Sequence, residues 1–216
     1  PLGYHRARCL RIPRQDPVMA RPQQLRLQIA AVAARLMAQD GIDDFALAKR
    51  KAARQLGLTD TRALPANEEI EAQLRAYQDL YQPHEQRDRV REMRSMAVAI
   101  MREIGAFHPY LTGRVLNGLA GRYSDIDLQV FTDDAKSLEL LLLGRGLDYS
   151  ISDQRRTIGG VARVIPLLVV DWQGITVNIA VFGARDERTA MKATSTGRVL
   201  ERAALPAVED LLARND

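Results

Sequence analysis

An α+β fold is predicted, with an all-helical N-terminal region leading into a mixed β-sheet core flanked by helices. Three observations predict it. Apolar residues recur at three- and four-residue spacing as far as Ile104. Beyond Pro109, short β-like runs with two-residue alternation take over, separated by glycines. One helix-like run, 134–144, lies among those strands. The chain has 216 residues, 46% hydrophobic and 27% charged, which is enough for a sizeable core and excludes a disordered or fibrous chain.

The helical pattern starts at Arg21 and runs to Gly57. Leu25, Ile29, Val32 and Leu36 share one stripe, and Phe45, Ala48, Ala52 and Leu56 share a second. Asp40-Gly41 divides the two. A turn-rich stretch, 57–67, precedes a third helix over 67–81, whose start carries Asn67 as a cap and Glu68 and Glu69 in its first turn. Pro83 stops it, and a fourth helix is expected over 84–104 with Val90, Met93, Ala97, Ile100 and Ile104 buried. Strands are expected at 110–112, 126–131, 149–152, 161–171 and 175–182. Gln173-Gly174 joins the last two as an antiparallel hairpin, and Pro166 marks an edge or a bulge. Three segments follow: a leader over 1–18, a helical region over 19–107 and a sheet domain over 108–216.

The longest apolar runs, around Leu140 and Leu167, fall far short of the ~20 residues a spanning helix needs, so no membrane partner is expected. Cys9 is the only cysteine, which rules out an intramolecular disulfide and fits a reducing, cytoplasmic compartment. The formal charge of +4 invites a nucleic-acid reading. Its origin argues otherwise: Arg6, Arg8, Arg11 and Arg14 stand against Asp16 alone in the leader, a net of +3 that leaves +1 for the rest. Pro1-Leu2-Gly3 matches the remnant of a cleaved affinity tag and Met19 a natural start, so the leader is read as tag-derived or disordered, with a basic arm as the alternative. Lys49, Arg50, Lys51 and Arg54 are read as a solvated face. His84 and His108 each neighbour a proline and share no ligand spacing, and Trp172 is read as packing.

The informative stretch is PYLTGRVLNGLAGRYSDIDLQVF, residues 109–131. Alternation along a strand puts Asp125, Asp127 and Gln129 on one face and Ile126, Leu128 and Val130 on the other, the core face. The two carboxylates then stand about 6.6 Å apart along the chain. Like charges so close repel unless a cation lies between them, and Mg²⁺ or Mn²⁺ with oxygen ligands is the neutraliser suited to phosphate chemistry. Gly113 ends a strand where a turn can aim backbone N–H groups at a phosphate, and Gly118 and Gly121 let the chain turn again.

This stretch resembles the signature of the polymerase β nucleotidyltransferase superfamily: a strand ending in Gly-Gly or Gly-Ser, about ten residues, then Asp-x-Asp on a second strand. Gly113 matches the first glycine, Arg114 stands where Ser or Gly is usual, and Ser124-Asp125-Ile126-Asp127-Leu128 matches the second strand as small bacterial members write it. The resemblance implies a nucleotidyltransferase core over 108–216 in which Asp125 and Asp127 hold two Mg²⁺ ions on an NTP. Gly113, Arg114 and Ser124 would contact the nucleotide, and a third carboxylate on a later strand would activate the acceptor hydroxyl of a protein, RNA or small molecule. Asn178 aligns with that third position, and an amide neither accepts a proton at neutral pH nor carries the charge a second metal wants. Asp171 is the substitute if its hairpin turns it inward; otherwise it serves the turn. Arg114 either grips a phosphate or blocks the pocket. Arg155, Arg156, Arg163, Arg185, Arg188, Lys192 and Arg198 are further cations for a triphosphate. Three functions stand: an Mg²⁺-dependent transferase, a catalytically degenerate relative acting by nucleotide or protein binding, and a nucleic-acid-binding module.

Overall fold

A computed structural model of the chain describes residues 17–42, 44–58, 64–81, 83–121, 123–189 and 200–214. Among them are seven α-helices and one six-stranded mixed sheet, so the fold is α+β. The leader, apart from Pro17 and Val18, lies outside the described residues. No helix among those described is long and apolar enough to cross a membrane.

Helix α1, Pro17–Asp40, starts four residues before the expected boundary, with a proline in the first turn where its missing N–H costs nothing. Gly41, at φ +67°, takes the left-handed conformation that ends it. Helix α2, Phe45–Gln55, is capped by Asp44, whose carboxylate accepts from the Ala46 N–H at 2.7 Å. Helix α3, Asn67–Tyr81, is capped differently from the expectation. Glu69 reaches back to the Ala66 N–H at 2.6 Å and to Arg26 at 2.7 Å, while Asn67 accepts from Lys49 at 2.7 Å. Ile29, Ala33, Met37, Ala48, Ala52, Ile70 and Leu74 form one cluster, and Leu119 from the sheet half plugs into it.

Helix α4, Pro83–Glu103, belongs by packing to the sheet, although it lies in the segment read as helical region. Val90, Met93, Ala97, Ile100 and Ile104 bury against Leu111, Ile126, Leu128, Val130, Val177, Ile179 and Val181. The strands are β1, Tyr110–Thr112; β2, Ile126–Phe131; β3, Tyr149–Ile158; β4, Val161–Trp172; β5, Ile175–Phe182; and β6, Arg202–Ala204. Their order is β3-β4-β5-β2-β1-β6, with β2 and β5 parallel and the other pairs antiparallel. Helix α5, Gly113–Asn117, follows β1; α6, Ala135–Gly144, and α7, Leu205–Arg214, add Leu138, Leu142 and Val208 to the same core face. The opposite face carries a smaller apolar group, with Phe131 stacked on Phe182 at 5.5 Å and Tyr110 edge-on to Phe131 at 5.6 Å.

Three features differ from the sequence expectation or refine it. Strand β3 continues to Ile158 rather than ending at Ser152, because its backbone ladder with β4 runs on and Ile158 and Ile165 bury with Phe131 and Phe182 at its far end. Pro166 lies where the β4–β5 ladder stops, so beyond it β4 has only β3 as a neighbour and the lost N–H is tolerated. Gln173 and Gly174 have φ of 56° and 81°, the doubly left-handed turn that matches strand twist in a two-residue hairpin.

Candidate functional site

Strand β2 carries Asp127, and Asp125 immediately precedes it. Its apolar side chains are fully buried, and Leu or Ile burial of this kind stabilises by about 1.5–3 kcal/mol each, which fixes the strand's face and turns Asp125 and Asp127 away from the main core. The parallel register with β5 sets Asp127 directly opposite Asn178. The Asn178 Nδ2 donates to Asp125 Oδ2 and to Asp127 Oδ1, both at 3.2 Å. Two carboxylates separated by one residue therefore converge on a single atom, and that atom belongs to the amide.

Gly113 explains how the chain approaches them. It sits at φ +71°, and a Cβ there would lie 2.7 Å from Asp127 Oδ2, so both its conformation and its lack of a side chain are required. Thr112 donates its hydroxyl to the Asp127 carbonyl at 3.2 Å, tying β1 to β2 beside it. Ser124 is buried, and its Oγ accepts from the Gly121 N–H at 2.8 Å, which closes the turn that delivers Asp125.

Arg114 opens α5, with its guanidinium 5.0 Å above the Phe45 ring and Nη2 3.9 Å from Met37 Sδ. The residue that stands in the usual Ser or Gly place is thus held from α1 and α2. Burial pushes the Asp127 carboxyl above the ordinary carboxylate range and the Asp125 charge adds to this, while the Asn178 hydrogen bond, Arg156 and Arg114 oppose it. Among the described residues of the expected set, Arg156 on β3 is the further cation whose charge is felt at Asp127.

A cavity of about 330 Å³ lies between the helical half and the sheet. Gly113, Arg114, Ser124, Asp125 and Asp127 line it together with Phe45, Asn67, Glu68 and Glu71 of the helical half and Glu201 next to β6. Among the described residues, five carboxylate residues line it against one arginine, a balance that favours a polyanion arriving with its charge compensated. A second cavity of about 630 Å³ shares Glu68, Glu71, Asn117, Leu200 and Glu201 with the first and continues it toward α7.

Asp171 is not brought in. Its Oδ1 accepts from the Gly174 N–H at 2.9 Å and serves the hairpin turn. Arg163 pairs with Asp186 at 3.2 Å, Arg155, Arg185 and Arg188 are exposed, and Lys192 and Arg198 lie outside the described residues. His84 and His108 are exposed and apart from the cavity. Glu71 and Glu201 line the site without being singled out in the sequence, and Phe45, expected only on the apolar stripe of its helix, lines it as well. No local signal marks them, because each comes from an element distant along the chain.

The donor set has two carboxylates and one amide, and among the described residues no three His, Cys, Asp or Glu side chains are grouped to hold a metal. Two convergent carboxylates, one of them desolvated and repelled by the other, fit one hard divalent cation, with the Asn178 amide oxygen as a third neutral donor after a half-turn of its side chain. They do not supply the third charge that a second cation would want.

No protein-family model, no curated protein and no solved structure matches the chain.

Proposed function

We propose that this chain is a nucleotidyltransferase of the polymerase β type, in which Asp125 and Asp127 bind one divalent cation with an NTP and a nucleotidyl group passes to a hydroxyl acceptor. The observation that carries this reading is the side-by-side placement of Asp127 and Asn178 on parallel strands, with the Asn178 amide bridging both aspartates. In the transfer, an acceptor oxygen bonds to the α-phosphorus, the bond to pyrophosphate breaks, and the hydroxyl proton must leave. Bound Mg²⁺ supplies charge for the triphosphate in a cavity dominated by carboxylates. Arg114, which lines the cavity, would meet phosphate oxygens, and Gly113 keeps the backbone close beside Asp127. Asn178 orients the pair and cannot take the proton. Glu68, Glu71 and Glu201, which line the same cavity, are carboxylates chemically able to accept it.

A second reading has its own support. The amide in the third position and the acid-rich cavity favour a relative that binds a metal–nucleotide complex without transferring it. One experiment separates the two. Mg²⁺ with each NTP is added to the full chain, melting is followed, and incorporation of α-labelled nucleotide is measured in parallel. A hundredfold excess over the dissociation constant stabilises by about 2.7 kcal/mol. Transfer and a melting shift, both lost in Asp125→Asn with Asp127→Asn, support the enzyme. A shift without transfer supports the binding protein. An undiminished shift in the double variant moves the site elsewhere.

A further inference from the structure

The segment that joins β1 to β2 carries Gly113, Arg114 and Ser124, and its carbonyls at Val115, Leu116, Asn117, Gly118 and Ala120 accept from side chains of helices that precede it. Arg94, on the buried side of α4, donates from Nε to the Val115 carbonyl at 3.1 Å and from Nη2 to the Leu116 carbonyl at 2.8 Å. Gln86, two turns earlier on the same helix, donates from Nε2 to the Gly118 carbonyl at 3.1 Å and to the Ala120 carbonyl at 2.8 Å. Arg75 of α3 donates to the Asn117 carbonyl at 3.3 Å. Val115 and Leu116 lie in the last turn of a five-residue helix, where the Val115 carbonyl takes only a long 3.4 Å bond from the Gly118 N–H, so Arg94 adds donors where the helix supplies few of its own. A planar guanidinium fork spans two such acceptors; an ammonium cannot hold the same pair in that geometry. Gly118, in the left-handed conformation at φ +75°, ends the helix beside the guanidinium, with its would-be Cβ in ordinary contact with Arg94 Nη2 at 3.7 Å.

We propose that Arg94 is a positioning residue for the candidate site: with Gln86 it clamps the carbonyls of residues 115–120, and so fixes Gly113 against Asp127 and Arg114 over the cavity. Its relevance to metal and nucleotide rests on the function proposed above, whereas the clamp itself does not. Burying an arginine on α4 against neutral carbonyls is costly, since burial alone pushes its pKa down. A guanidinium that merely filled the core would be replaceable by an apolar side chain of like volume. One that sets the segment's path would not.

The test uses the full chain with three variants: Arg94→Lys, which keeps the charge and loses the fork; Gln86→Leu, which leaves Arg94 intact; and Arg102→Ala, which breaks only the α4 surface pair with Glu209. Amide hydrogen exchange is followed along the chain, and binding of Mn²⁺ alone is titrated. In Arg94→Lys and Gln86→Leu, exchange over 115–124 rises by about tenfold while α1 and α2 stay protected, and Mn²⁺ binding weakens by about tenfold, as for other groups that orient ligands from behind. Arg102→Ala changes neither. Exchange that is unchanged, or raised evenly over the whole chain, overturns the clamp. So does a loosened segment with undiminished Mn²⁺ affinity. If Arg94→Lys does not fold, Gln86→Leu decides by the same criteria. If the wild type binds no Mn²⁺, the proposed function fails and the exchange pattern alone judges the clamp.

Discussion

Gly113→Ala is the perturbation with the most directly calculable outcome. The residue has φ +71°, and a non-glycine residue in that region costs about 1–2 kcal/mol. The added methyl would stand 2.7 Å from Asp127 Oδ2, below any ordinary contact, and the backbone on both sides is tied into β1 and α5. Asp127 must therefore move, and it loses its 3.2 Å hydrogen bond from Asn178, a bond to a charged group of the kind that contributes about 1.5–3 kcal/mol. Relief of the aspartate's desolvation offsets part of this, which leaves a destabilisation of about 3 kcal/mol. For a chain of this size that lowers the melting temperature by about 6–12 °C. Gly144→Ala is the control: nothing lies within 4 Å of its would-be Cβ, its φ is not positive, and a gain of about 0.4–1 kcal/mol is expected. Urea or thermal unfolding with a parallel Mn²⁺ titration reads both effects. If Gly113→Ala costs no more than its control, or keeps wild-type Mn²⁺ affinity, the packing of Gly113 on Asp127 is not what shapes the site.

Three further outcomes follow from the same geometry. The Asp127 carboxyl, raised by burial, holds its proton more tightly folded than unfolded, so stability falls as pH rises from the ordinary carboxylate range through the raised folded value. Asp127→Asn is accordingly more stable than wild type at neutral pH in metal-free buffer, with the gain fading on acidification below that range; an equal gain at both ends, seen by urea unfolding, would remove burial as the cause. Asn178→Asp replaces a bridging donor with a third like charge: it destabilises without metal, tightens Mn²⁺ binding, and raises transfer by about 10²–10⁴-fold if a base was missing at that position. An active wild type with a no-faster variant assigns the proton to another group. Phe45→Leu keeps the apolar bulk but removes the ring face under Arg114, an interaction of about 0.5–2 kcal/mol, and should weaken Mg²⁺–nucleotide binding in a calorimetric titration; tighter binding would give Arg114 the blocking role instead.

Much of the frame could be read from periodicity. The bounds of β1, β2 and β5 and of α3 agree with their patterns, because each buries one face against a continuous partner. The alternation of Ile175, Val177, Ile179 and Val181 also put Asn178 on the polar face, where the parallel register sets it beside Asp127. Pattern fails where burial does not dictate structure. Asp153, Gln154, Arg155 and Arg156 look like the end of a strand, yet β3 is an edge held by its backbone ladder, so their polarity carries no penalty. Strand β6 has three residues, too few for alternation to register, and α7 follows it directly. Arg94 was passed over for a related reason. A lone arginine on an amphipathic helix looks like a solvated one, and only the carbonyls of α5, twenty residues away, reveal why it is inside. The same distance hides Phe45 from Arg114.

The parallel pairing of β2 with β5 also bears on when the site can come into being. Asp127 and Asn178 are 51 residues apart, whereas β3–β4 and β4–β5 are neighbours through two-residue turns. Closing the longer loop costs more chain entropy than closing either hairpin, and it is repaid only once the interstrand contacts form. The three-stranded meander can therefore zip locally first, but the carboxylate pair meets its amide only when that preformed unit docks on β2. During synthesis this docking has to wait for Phe182 to emerge, and β1, already made, keeps one edge open until β6 arrives some twenty residues later. A chain arrested between those two points would present an unpaired β1 beside a completed aspartate strand, which makes the last fifteen residues a late seal on the sheet.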